Sequence, residues 1–125
     1  MLRALSLDPT ALAARSDFRP FRRGIEILSL YEQDGGAAAV LRYKPGARLP
    51  AHRHEAHELI YVLAGEQSDE RGSYPAGTVI VNPPGSSHSV WSPAGCLVLV
   101  VWRSPVTFLD QPSPDRDMDE TDTRR

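Results

Sequence analysis

Prolines and glycines break this chain before any apolar run grows long, and that spacing limits the folds open to it more than any other feature. Eleven prolines and nine glycines are spread through 125 residues. The longest apolar run is residues 96–102, far below the ~20 residues that cross a bilayer as a helix. Short β-prone runs bounded by Gly, Pro, Asn and Asp are strands joined by tight turns, not a helical bundle.

Taken in order, residues 1–23 read as an N-terminal arm. Asp8 is placed to cap a short helix with Pro9 at its first position, ending near Ala14. Arg19, Arg22 and Arg23 read as a solvated edge. Residues 25–31 form a strand whose apolar period slips from Ile25 and Ile27 to Leu28 and Leu30, which predicts a register change. Asp34-Gly35-Gly36 turns it back into residues 37–44 as a hairpin. Pro45-Gly46 starts an extended segment that ends on a histidine pair, and residues 58–64 are the next strand, closed by Gly65. Residues 66–72 and 73–75 form a hairpin, 78–81 and 88–91 are strands, and 96–102 is a strand apolar on both faces. At least eight short strands with regular turns make an antiparallel sandwich or barrel. The expected division is arm 1–23, one domain 24–109, and a charged, disordered tail 110–125.

Charge narrows the partners. The net charge is −2, but from Asp110 onward six acids face three bases, so the body is close to neutral. Neither nucleic acid nor an anionic membrane has an electrostatic claim on such a body. The single cysteine, Cys96, cannot close an intramolecular disulfide and reads as a small buried hydrophobe. Asp8 and Pro9 interrupt any leader-like apolar stretch, so the expectation is a soluble, cytoplasmic protein.

All four histidines, His52, His54, His57 and His88, lie between Gly46 and His88. On a strand, His52 and His54 share a face. Paired imidazoles with a carboxylate nearby and another imidazole returned by the fold suit Fe, Mn, Co, Ni, Cu or Zn rather than Ca or Mg. His54-Glu55-Ala56-His57 is one residue short of the helical zinc-protease motif. If Glu58 points inward, its neighbour His57 points away.

Gly46, His52, His54, Glu58 and Gly65 match G-x5-H-x-H-x3-E-x6-G, and Gly77, Pro83, Gly85 and His88 match G-x5-P-x-G-x2-H. These are the two signatures of the cupin family, with Ser92 in place of the usual closing asparagine. The chain therefore resembles a cupin. Residues 68–77 and 82–88 are most similar to the ChrR-like members.

The resemblance implies a small jelly-roll barrel with His52, His54, Glu58 and His88 as ligands to one divalent metal (Fe, Mn, Ni, Cu or Zn). A closed tetrahedral set would be structural, and an octahedral set would leave two positions open. Metal-bearing cupins of this kind include dioxygenases acting on aromatic ketones, so a metal-dependent, dioxygenase-like oxidoreductase for a small oxygenated molecule is one expectation. Glu58 is its candidate base. Tyr43, Tyr61, Trp91 and Trp102 are candidates for the substrate pocket. The other expectation is a non-catalytic metal-binding sensor, as in the cupin half of a ChrR-type anti-sigma factor. The absence of His and Cys from residues 1–50 argues against holding a sigma factor in that protein's manner. Metal-free epimerase cupins fit the intact ligand set least. Small cupins also imply a homodimer, with strands paired or the arm crossing between subunits.

Overall fold

The computed structural model describes residues 3–109; the tail expected to be disordered, 110–125, lies outside them. Helix α1 is Pro9–Ala13, with the Asp8 carboxylate accepting from Ala11 N at 3.0 Å and Pro9 in the first turn. Five residues cannot persist as a helix alone. This one is held by fully buried Leu12, which packs on Leu28, Val40 and Leu97.

Ten strands follow: β1 Arg19–Arg22, β2 Ile25–Gln33, β3 Gly36–Tyr43, β4 Ala47–Arg53, β5 Glu58–Asp69, β6 Gly72–Pro75, β7 Val79–Asn82, β8 Ser87–Ser92, β9 Cys96–Trp102 and β10 Thr107–Phe108. Every pairing is antiparallel, in two curled sheets that share β5. One runs β1-β2-β3-β9-β5-β7; the other runs β6-β5-β8-β4-β10. The product is a jelly roll.

The β2–β3 hairpin turns on Asp34-Gly35, and the slip expected in β2 is a bulge between Ser29 and Tyr31. Two sequence readings need correction. Arg19 and Arg23 are exposed, but Arg22 is half-buried on β1, its guanidinium over the rings of Phe21 (4.7 Å) and Phe108 (5.1 Å). An aromatic face holds the cation there, so Arg22 alone departs from the solvated edge, and β1 is the edge strand of its sheet. Gly65 does not end its strand either. A bulge between Val62 and Ala64, with Gly65 at φ 75, bends β5 so that its first half pairs with β9 and β7 and its second with β6 and β8.

Between the sheets lies the main core, which includes Ile25, Leu41, Tyr43, Ile60, Val62, Val90, Val98, Val100 and Trp102. The opposite face of the first sheet is partly covered by α1, so β9 is buried on both sides, as its composition predicts. Among the described residues no helix is long and apolar enough to cross a membrane.

Candidate metal centre

Antiparallel pairing of β4 with β8 sets His52 directly opposite His88, and His54 follows one residue after β4 ends. All three side chains are buried, with ring centroids 4.7–5.1 Å apart. One nitrogen from each lies within 4.8 Å of the others. Burying three imidazoles without partners for their polar atoms would be costly, so where each nitrogen goes is informative.

Every Nδ1 faces an acceptor. His52 Nδ1 is 2.8 Å from Pro50 O, and His88 Nδ1 is 3.0 Å from Asp69 Oδ2. His54 Nδ1 is 3.0 Å from Ser86 Oγ and 3.2 Å from Ser86 O. The Ser86 hydroxyl already donates to Pro83 O at 2.6 Å, so towards His54 it can only accept. The loop that carries Ser86 is tied down by His54 N→Ser86 O and Gly85 N→His54 O, each 2.8 Å. Nδ1–H is thus the tautomer that satisfies all three rings, leaving each Nε2 with a lone pair. His54 Nε2 and His88 Nε2 are buried with no hydrogen-bond partner. Convergent, unpartnered lone pairs are what a divalent metal requires, and the donor set fits one.

Glu58 opens β5 beside them. Its Oε1 is 2.9 Å from His54 Nε2, outside hydrogen-bond geometry, and accepts from Asn82 Nδ2 at 3.1 Å. Burial works against the charged form of this carboxyl, and the hydrogen bond from Asn82 favours it. His57 is exposed, on the opposite side of the extended chain from Glu58.

The centre opens onto a cavity of about 60 Å³ whose lining includes His52, Glu58 and His88. That is room for roughly four to six water-sized groups. Tyr43 and Trp102 line it, whereas Tyr61 and Trp91 do not. Tyr61 is three residues past Glu58 and Trp91 three past His88, an odd step that puts each on the outer face of its strand. Trp91 instead lies under the Arg48 guanidinium at 5.1 Å. Burial raises the Tyr43 hydroxyl's pKa, so it stays protonated, with Gln67 as its hydrogen-bond partner. The rest is mainly apolar, and its lining also includes Phe21, Arg22, Val106 and Phe108. Phe108 reaches His52 because β10 pairs with β4 at that residue, with ring centroids 5.7 Å apart. Arg22 and Phe108 carry no local motif; Asp69, Asn82 and Ser86 lie in the two ChrR-like stretches, but only the tertiary structure shows which site residue each one holds.

Burial also lowers His52 from 6.5 to about 4, so it is neutral and ligand-ready at pH 7. The sign for stability follows. In metal-free protein the unfolded chain takes up a proton near pH 6.5 that folded His52 refuses until about pH 4. Stability therefore falls as pH drops through that window, at about 1.4 kcal/mol per pH unit and by about 3 kcal/mol in all. Above pH 6.5 this group has no effect. Urea titrations of chelator-treated protein at pH 7, 5.5 and 4 measure the loss, which should shrink in His52→Gln. Equal stability at the three pH values would refute it.

Residues 9–107 match the family model described as the ChrR cupin-like domain. No curated protein matches the chain in sequence. Among solved structures, an acetylacetone dioxygenase from Acinetobacter johnsonii superposes with a TM-score of 0.71 at 18% identity, over 78% of this chain and 76% of that one. A cupin-like protein from Ralstonia eutropha gives 0.64 at 22%, over 70% of this chain and 60% of that one. The Rhodobacter sphaeroides complex of SigE with the anti-sigma ChrR gives 0.64 at 23%, over 71% of this chain. This chain spans about half (49%) of the matched chain in that complex and 60% of the Ralstonia protein. At such identities the likeness is one of fold.

Proposed function

This chain belongs to the ChrR cupin-like domain family, and on that premise we propose that it is a metal-dependent, dioxygenase-like enzyme for a small oxygenated organic molecule. His52, His54, Glu58 and His88 would hold one divalent transition metal. The observation that carries the reading is the convergence of three buried imidazoles, two of them with unpartnered Nε2 atoms, beside a small, mainly apolar cavity. An ion held there would supply Lewis acidity and, if it were iron, manganese, nickel or copper, redox chemistry.

The chain's own groups do the rest. Pro50 O, Ser86 and Asp69 hold the three rings with Nε2 inward. Phe108, Val106 and Trp102 keep water from the cavity, and the Tyr43 hydroxyl and Gln67 offer a polar point on an otherwise apolar wall. Glu58 is the proposed proton acceptor, with Asn82 orienting its carboxylate. Glu58→Gln should keep the fold and lose turnover.

The test is the metal content of anaerobically purified protein, followed by oxygen uptake with small ketones, diketones and diols. Uptake that depends on the metal supports the enzyme. Tightly held zinc, with no oxygen chemistry after iron replaces it, would favour a metal-binding sensor, a reading the family's ChrR description also supports.

We further propose a homodimer formed through the outer face of β7 and β5. Val79, Val81 and Leu59 are 54%, 57% and 41% exposed there, side by side on strands paired Leu59↔Val81 and Tyr61↔Val79. Strand β7 is an edge of its sheet, and apolar edges of this kind are covered by partners. α1 lies on its own sheet through Leu12, so the proposed contact does not use the arm. Sedimentation should give twice the chain mass for the native protein and the single mass for Val79→Lys/Val81→Lys. A native monomer would end the proposal.

A further inference from the structure

Only one of the three rings has a carboxylate behind it. His52 is backed by the Pro50 carbonyl and His54 by the hydroxyl and carbonyl of Ser86, all neutral acceptors. His88 is backed by Asp69, with Nδ1 3.0 Å from Oδ2 and both side chains almost fully buried. A buried carboxylate is tolerated when its lone pairs are occupied, and these are. Oδ1 accepts from Arg71 N at 2.8 Å and from the Tyr74 hydroxyl at 3.1 Å, and the Arg71 guanidinium lies 3.7 Å from Oδ2.

The placement is a product of the bent strand. Past the bulge, β5 crosses into the second sheet and pairs Asp69 with Val90, two residues along β8 from His88 and on the same face. Gly72 and Tyr74 on β6 then close the turn that holds Asp69 from its other side.

We propose that Asp69 is a positioning residue: it fixes His88 as the Nδ1–H tautomer with Nε2 toward the centre, and it makes His88 the strongest donor of the three histidines. An anionic acceptor on Nδ1–H draws that proton and enriches the opposite nitrogen more than a carbonyl or hydroxyl does. The donor-strength half of this inference rests on the metal reading of the site; the tautomer half does not.

Two measurements test it. In metal-free, ¹⁵N-labelled protein, long-range ¹H–¹⁵N spectra should show His88 protonated at Nδ1 alone, and Asp69→Asn should turn that signal into a mixture of tautomers. Competition with a chelator for Co²⁺ should show binding weakened 10–100-fold in Asp69→Asn and by less in Ser86→Ala. A wild-type His88 protonated at Nε2 would overturn the inference, and so would an Asp69→Asn protein with unchanged tautomer and Co²⁺ affinity. The wild-type spectrum needs no variant, so an Asp69→Asn chain that does not fold leaves the inference open to refutation. If His88 is locked at Nδ1 but the wild type binds no Co²⁺, the metal reading fails while the tautomer assignment holds.

Discussion

If the proposed centre holds a metal, alanine at His52 or at His88 is expected to weaken its binding by about 100-fold or more, and to leave the purified variants with little of the ion. Each substitution removes one of three convergent buried nitrogens. Nothing nearby can replace either donor, because the surrounding wall is mainly apolar and the next histidine, His57, is exposed and turned away. The two variants also act from different strands, β4 and β8, so a shared loss cannot be blamed on one distorted segment. His57→Ala is the control and should keep its metal. Elemental analysis of the four proteins, purified side by side without oxygen, decides the matter. Equal metal content in all four, or none in any after loading, would remove the centre assigned to this cavity.

The second large effect is on the fold. Gly65→Ala is expected to destabilise the protein by about 2 to 5 kcal/mol. Two independent terms add here: an L side chain at φ 75 costs about 1–2 kcal/mol, and overpacking costs about 1–3 kcal/mol. The second term applies because a Cβ on Gly65 would overlap the Gly95 carbonyl oxygen and stand 2.9 Å from Cys96 Cα, and backbone cannot turn aside as a side-chain tip can. Gly46, in the same signature, separates the terms. It has φ 84 and nothing within 4 Å of an added Cβ, so Gly46→Ala should show the conformational term alone. Urea unfolding of both variants checks the difference. Matching losses would mean that the close approach of β5 to the turn before β9 does not constrain Gly65.

How much of this could be read along the chain depends on how local each feature is. The strands were legible because alternation and turn residues act over a few positions; β2, β3, β8 and β9 fall where the pattern puts them. The capped start of α1 was legible for the same reason. Gly65 shows the limit. A glycine after an apolar run looks alike whether the strand stops or bends, and only the partners available on either side distinguish the two. Pocket residues follow a separate count: steps of two from Glu58 and His88 give the inward face, and Tyr61 and Trp91 sit at odd steps on the outer one.

For the site, the gathering of three histidines and a glutamate is written in two short stretches, in their spacing and the turn residues around them. Which nitrogen of each ring faces the centre is set by contacts that come together only in the folded chain. Pro50, Ser86 and Asp69 set that choice, and two of them reach their histidines from 32 and 19 residues away. The physical reason is that a hydrogen bond has no sequence signal when strand pairing, rather than chain proximity, brings donor and acceptor together. The same holds for the cavity, whose lining draws on β1 and β10, segments from opposite ends of the fold that meet where Arg22 lies over Phe108.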